Sequence, residues 1–232
     1  MDSDLDGPLP AEDEVLDRLD RHLRRWLGTW PPTSKLTVVG CDCRVEPGWD
    51  GTVRPFAGVE TPQGTVLSVP PARADEVRSA GSSLEAVLDA LPEALGQPGG
   101  VVGRGVYRYC LAPAPFEPIG EWVPADAPDV PAWLRPFGGE VLVVRDDGMY
   151  VAGLGIKRHD QLGFEVAVAT EEAWRGRGLA RALVSRAAAS ILRAGGVPIY
   201  LHGRGNAASA RVAEASGFPD QGWFILGLPT AT

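Results

Sequence analysis

Val166-Ala-Val-Ala-Thr-Glu-Glu-Ala-Trp-Arg-Gly-Arg-Gly-Leu-Ala180 carries a β-branched strand through a short loop into the start of an amphipathic helix. Gly176 and Gly178 let the backbone turn tightly and come close to a ligand, leaving first-turn N–H groups unpaired. Such groups, aided by the helix dipole, suit a phosphate or pyrophosphate, and Arg175 and Arg177 add charge at the same place. The glycine spacing is neither that of a Walker loop, which needs Gly-Lys-Ser/Thr, nor that of a dinucleotide-binding fingerprint. On the residues alone, a tight loop with solvated arginines is the alternative.

Periodicity extends the pattern on both sides of this turn. Val141 to Arg145 and Met149 to Ile156 read as strands joined by the hairpin turn Asp146-Asp147-Gly148, and Phe164 to Ala169 reads as a third. The helix runs from about Gly178 to Arg193 on a stripe that includes Leu179, Leu183, Val184 and Ala187, and it stops at Gly195-Gly196. Val197 to His202 is the next strand, Asn206 to Ser216 the next helix, closed by Gly217, and Trp223 to Leu228 the last strand. This order makes a mixed α/β layer with antiparallel and parallel parts.

Arg175-Gly176-Arg177-Gly178-Leu179-Ala180 resembles the Gln/Arg-x-x-Gly-x-Gly/Ala loop of the GCN5-related N-acetyltransferases (GNAT). A second feature of that family, Asn-x-x-Ser/Ala followed by Gly-Phe, is matched by Asn206-Ala-Ala-Ser209 and Gly217-Phe218. The resemblance covers roughly residues 137–228. It implies a GNAT-like acyl-CoA N-acyltransferase fold and acetyl-CoA as co-substrate, with no metal. Carried over residue by residue, strand contacts to the coenzyme fall on Val166 and Val168. Its pyrophosphate falls on Arg175, Gly176, Arg177, Gly178, Leu179 and Ala180. Asn206 would cap its helix beside the departing thiol, and Ser209 would approach the coenzyme arm.

The chain departs from the family in two places. The tyrosine that many members carry in the helix after Asn, placed to protonate the leaving thiolate, is Ala213 here. A family general base often stands on the strand feeding the loop, and Glu165 lies near that place. Partial burial that raised its pKa would let it take a proton from an incoming ammonium; a strand-edge surface acid is the alternative. Tyr200 and His202 alternate along the strand across the cleft and so share a face, where either could serve substrate or thiol. Lys157, Arg158, His159 and Asp160 read as a solvated charged turn. All three cysteines lie at or before residue 110, which leaves no nucleophilic thiol in this lobe and favours direct attack by an amine.

Upstream, Val15, Leu16, Leu19, Leu23, Trp26 and Leu27 mark a helix, after an acidic start over Met1 to Pro10 expected to be irregular. Strands are expected at Leu36 to Val39, Thr52 to Val59, Thr65 to Val69 and Gly105 to Leu111, with a helix from Ser83 to Leu91. Seven prolines between Pro113 and Pro136 forbid a regular helix or a central strand and read as an extended connection. The expected organisation is a helix plus a non-catalytic α/β lobe over 1–112, a connection over 113–136 and the GNAT lobe over 137–232. The first lobe reads as a degenerate GNAT-like copy without the loop, or as an α+β cap, completing a sheet that has room for one closing strand only.

A net charge of −8 disfavours nucleic-acid binding. Residues 1–136 hold 12 Lys/Arg against 21 Asp/Glu, whereas residues 137–232 hold 10 against 9, so the loop's arginines sit in near-neutral surroundings. No run reaches the roughly 18 apolar residues of a spanning helix, and the acidic N-terminus is unlike a secretory signal. Cytoplasmic residence without a membrane partner is expected, as monomer or homodimer. Cys41 and Cys43 have no second pair for a zinc site, and an odd count of three favours thiols over a disulfide framework. The function expected is transfer of acetyl from acetyl-CoA to an amine, on a small molecule or a peptide. A non-catalytic acyl-CoA-binding or sensor protein is the alternative.

Overall fold

Acidic residues open the first helix and arginines close it, as the helix dipole favours. α1 (Glu12–Leu27) has Glu12, Asp13 and Glu14 in its first turn and Arg24 and Arg25 in its last. Val15, Leu19, Leu23 and Leu27 return every fourth residue and are buried. In the computed structural model, which describes residues 7–228, the chain continues through β1 (Leu36–Gly40), β2 (Ala57–Glu60), β3 (Thr65–Val69), α2 (Ala74–Ser79), α3 (Leu84–Ala94) and β4 (Gly103–Tyr109). There follow β5 (Glu121–Pro124), β6 (Glu140–Asp146), β7 (Met149–Arg158), β8 (Gly163–Thr170), α4 (Leu179–Arg193), β9 (Val197–Gly203), α5 (Ala207–Ala215) and β10 (Trp223–Gly227). The start expected to be irregular lies in large part outside the described residues; residues 7–10 carry no helix or strand.

The chain falls into two units. Among the described residues, one holds 7–19, Arg108–Leu201 and Asn206–Pro219, and the other holds Asp20–Tyr107, His202–Gly205 and 220–228. In the first unit the strands lie in the order β5-β6-β7-β8-β9. Neighbours are antiparallel except for the parallel pair β8 and β9. Asp147 and Gly148 turn β6 into β7 with φ of 46° and 78°, the left-handed backbone that a tight hairpin needs. One sheet face packs on α4, where Leu142, Leu154 and Val166 meet Leu183, Val184 and Ala187. The other is covered by the segment before β6, whose Val130 and Leu134 bury against Val141 and Val143. The proline-rich segment does contain a strand: Glu121, Trp122, Val123 and Pro124 form β5, which tolerates a proline because it pairs on one side only.

In the second unit the order is β1-β3-β2-β10-β4, with β1 parallel to β3 and the other pairs antiparallel. Leu67, Val69 and Leu226 from the sheet bury against Val77 of α2 and Val87 and Leu91 of α3. The strand expected from Thr52 starts only at Ala57. Pro55 interrupts the run, and upstream of it only an isolated bridge between Pro47 and Val53 forms. α2 has no strong periodic signal, being a single short helix after Pro70-Pro71. Cys41 and Cys43 are joined by a disulfide, contrary to the expectation of thiols, and Cys110 is a buried thiol.

Gly217 shows how α5 is closed. Its φ is 94°, the Phe218 N–H donates to Ala213 O at 3.0 Å, and a Cβ at this position would stand 2.5 Å from Ala112 O and 2.8 Å from Ala114 N. Backbone cannot yield as a side chain does. Gly217→Ala is therefore expected to destabilise the protein by about 2–4 kcal/mol, from the left-handed backbone and the overlap together. The urea unfolding midpoint measures it.

Candidate functional site

β8 and β9 begin as a parallel pair and then part. Their ladder runs from Gly163–Val197 through Phe164–Pro198 to Glu165–Ile199 and stops, although both strands continue. Beyond Glu165, β8 is paired with β7 alone, from Val166–Ile156 to Thr170–Ala152. A strand with one partner turns half of its N–H and C=O groups toward the open side. The opening leads into a cleft of about 670 Å³, lined along its length by Val168, Ala169 and Thr170 of β8, Tyr200 of β9, and residues of the turn, α4 and α5. That size lies within the range of ligand clefts, roughly 300–1,000 Å³.

The turn after β8 ends the cleft at an uncapped helix start beside arginines. Gly176 and Gly178 have φ of 78° and 80°, and a Cβ on either would meet nothing within 4 Å. The residue type is thus set by backbone conformation rather than by crowding. Gly178 is the N-cap of α4 and supplies no capping side chain, and no acid stands in the first turn. The first-turn N–H groups face a space that Gly176, Gly178, Leu179 and Ala180 line with Arg175, Arg181 and Arg211. Arg181 is anchored from behind, its Nε donating to Ala215 O and its Nη2 to Pro115 O, both at 3.1 Å. Arg177 does not line the cleft. Its guanidinium lies 4.2 Å from the centroid of the Trp174 ring, where the cation and the ring attract.

On the other wall, Asn206 caps α5 by accepting from the Ser209 N–H at 3.0 Å. Ser209 Oγ lies 2.9 Å from the hydroxyl of Tyr200, either oxygen being able to donate, and both residues line the cleft. Tyr200 is the first residue of β9 past the last rung shared with β8. Its ring stands edge-on to Phe218 at 5.7 Å. Burial pushes its pKa up against the opposing effects of Ser209 and Arg108.

Three other sequence-expected positions lie away from the lining. Val166 is buried in the core under α4. His202 is buried with Nδ1 3.0 Å from Gly203 O, and the cleft lining does not include it. Glu165, expected as a base of raised pKa, has its side chain only 8% exposed and bonded to Lys157 Nζ at 2.5 Å and His159 Nε2 at 3.0 Å. Burial acts to raise its pKa, but His159 and Lys157 outweigh it and hold the carboxyl below its ordinary value. That is the reverse of what a base for an ammonium requires. Lys157 and His159 are accordingly not a solvated turn; the register that sets Lys157 opposite Glu165 folds them inward. Thr170, Trp174, Arg181, Arg211 and Val212 line the cleft without having been read from the sequence. Arg181 stands one helical turn after Gly178, and the i, i+3 rule would have found it. Among the described residues no helix is long and apolar enough to cross a membrane, and no group of three potential metal ligands gathers.

Residues 108–218, just under half of the chain, match the model of the acetyltransferase (GNAT) family. This region is homologous to the GNAT superfamily and carries its mixed α/β fold. A GNAT-family structure from Novosphingobium aromaticivorans is 28% identical over 57% of this chain and 69% of its own, with a TM-score of 0.47. A GCN5-related N-acetyltransferase-like protein from Streptococcus suis is 18% identical over 93% of this chain and 100% of its own, at 0.48. A structure from Salmonella typhimurium, solved with its cofactor acetyl-CoA, is 24% identical over 38% of this chain and 61% of its own, at 0.31. No curated protein matches.

The ion cluster has a consequence for acid stability. A carboxyl whose folded pKa is depressed contributes stability above its unfolded value, here near 4.5, and loses it as pH falls through the folded pKa. Glu165→Gln, which removes the buried carboxylate that Lys157 Nζ and His159 Nε2 contact, should cost about 2–4 kcal/mol at neutral pH. The gap between variant and wild type should close on acidification. Denaturant midpoints measured from neutral to strongly acidic pH check both.

Proposed function

We propose that the protein is an acetyl-CoA-dependent N-acetyltransferase acting on an amine of a small molecule or peptide. One observation carries the reading: an opened strand pair runs directly into an uncapped, acid-free helix N-terminus ringed by arginines. These residues fit the coenzyme. Leu179, Ala180 and Arg181 would offer first-turn N–H groups to its pyrophosphate, Arg175, Arg181 and Arg211 would offset the charge, and the free edge of β8 around Val168 would pair with its amide arm. When bound, acetyl-CoA supplies an acetyl group on a thioester, activated for transfer to nitrogen.

Direct transfer is favoured over an acyl-enzyme. Cys110, the free cysteine, is fully buried, and burial pushes its thiol up to about 12, far from the thiolate a nucleophile needs. With Glu165 neutralised by Lys157 and His159, loss of the acceptor's proton falls to water in the open cleft. Ala213 in place of a helix tyrosine and the occupied Glu165 together favour a second reading, an acyl-CoA-binding protein without turnover.

Two measurements separate the readings. Calorimetry with acetyl-CoA should show binding that Gly178→Val weakens at least tenfold, since a β-branched residue in left-handed backbone displaces the first turn. Unchanged affinity would move the coenzyme elsewhere. Thiol release from acetyl-CoA against a panel of amines should show acceptor-dependent turnover; binding without turnover for any amine favours the second reading.

A further inference from the structure

The position from which many GNAT enzymes protonate the departing thiolate is Ala213, fully buried here, so that helix offers no hydroxyl there. The same wall of the cleft offers two elsewhere. Tyr200 and Ser209 come from different elements, β9 and α5, yet their oxygens stand 2.9 Å apart and both residues line the cleft. We propose that the Tyr200–Ser209 hydroxyl pair is the proton donor to the departing sulfur, Ser209 as the residue that touches it and Tyr200 as the positioning residue behind. The inference rests on the coenzyme reading above.

Each hydroxyl can donate and accept at once. With the Tyr200 O–H donating to Ser209 Oγ, the Ser209 O–H is left to point into the cleft. The N-cap bond from Ser209 N to Asn206 Oδ1 fixes the serine backbone, and packing against Phe218 fixes the tyrosine ring. Position along the strands agrees, because Tyr200 follows the last rung that β9 shares with β8, at the closed end of the opening. As the acceptor nitrogen bonds to the acetyl carbon and the C–S bond breaks, the Ser209 hydroxyl gives its proton to sulfur and takes the phenolic proton of Tyr200. Solvent, which receives the proton lost by the amine, returns one to Tyr200, and the balance closes. The charged groups about the pair are Arg108, held by Glu214 at 2.7 Å, and the cleft arginines 175, 181 and 211. All of the cations favour a thiolate and are unchanged in the variants below.

The test uses the full chain with Ser209→Ala, Ser209→Thr and Tyr200→Phe, the last keeping the ring packing. Bound CoA itself is the probe, its thiol titrated by ultraviolet thiolate absorbance, which needs no acceptor. A donor aimed at sulfur lowers the thiol pKa, so Ser209→Ala should raise it by about one pH unit. Tyr200→Phe should raise it by less, and Ser209→Thr should leave it as in wild type. With an accepted amine, Ser209→Ala should lower kcat by about a hundredfold with acetyl-CoA affinity held within about threefold. Titration curves that coincide in wild type and Ser209→Ala overturn the proposal. A wild-type shift without turnover for any amine leaves the pair as a contact to bound sulfur and overturns both the donor role and the transferase reading, and a chain that binds no CoA removes both as well.

Discussion

A backbone edge left unpaired inside a sheet must find partners for its N–H and C=O groups, because leaving them buried and unsatisfied costs about 1–3 kcal/mol each. β8 carries such an edge from Val166 onward, where β9 leaves it. The structure meets the constraint by keeping the gap open, so that the edge borders a cleft rather than a dry core. The cleft lining is a consequence of this choice. Side chains from the loop, α4 and α5 can reach the opening only because the two strands that precede those helices have separated.

The point of parting is held by charge. Glu165 lies on the last common rung, opposite Ile199 on one side and Lys157 on the other, and its two oxygens are taken by Lys157 and His159. An ion cluster of this burial is strongly directional and tolerates little sliding between strands. Immediately beyond it the residues change character: Val166 is buried under α4, while Val168 to Thr170 border open space. The cluster therefore stands at the boundary between sheet and cleft, and its chemistry is that of a fixed ion pair rather than of a group that exchanges protons.

The parts legible in the sequence are those whose cause is local. Gly176, Gly178 and Gly217 announce left-handed backbone, Asn206 announces a cap, and Asp147-Gly148 announces a hairpin, because each conformation is set within a few residues. Periodicity likewise gives α1 and α4 to within a few residues. The hidden parts depend on contacts made across the fold. Lys157 and His159 look like surface residues until β7 is laid against β8 in register. Arg177 stacks on an aromatic ring instead of lining the cleft because Trp174, three residues earlier, offers a nearer partner. β5 is concealed by its prolines, whose rule forbids central strands and not edges.

Tyr200 marks the limit of that legibility. Alternation along β9 sets Tyr200 and His202 on one face, and alternation alone gives no reason to prefer either. The difference arises further along the chain. Asn206 starts α5, the cap fixes the helix rotation, and that rotation brings Ser209 to the Tyr200 hydroxyl while the His202 imidazole is engaged at Gly203. The cap is a local event: a hydrogen bond of 3.0 Å from the Ser209 N–H to Asn206 Oδ1 starts the helix on which Ser209 meets the Tyr200 hydroxyl. The hydroxyls gathered at this wall are therefore one from the strand and one from the helix, 2.9 Å apart.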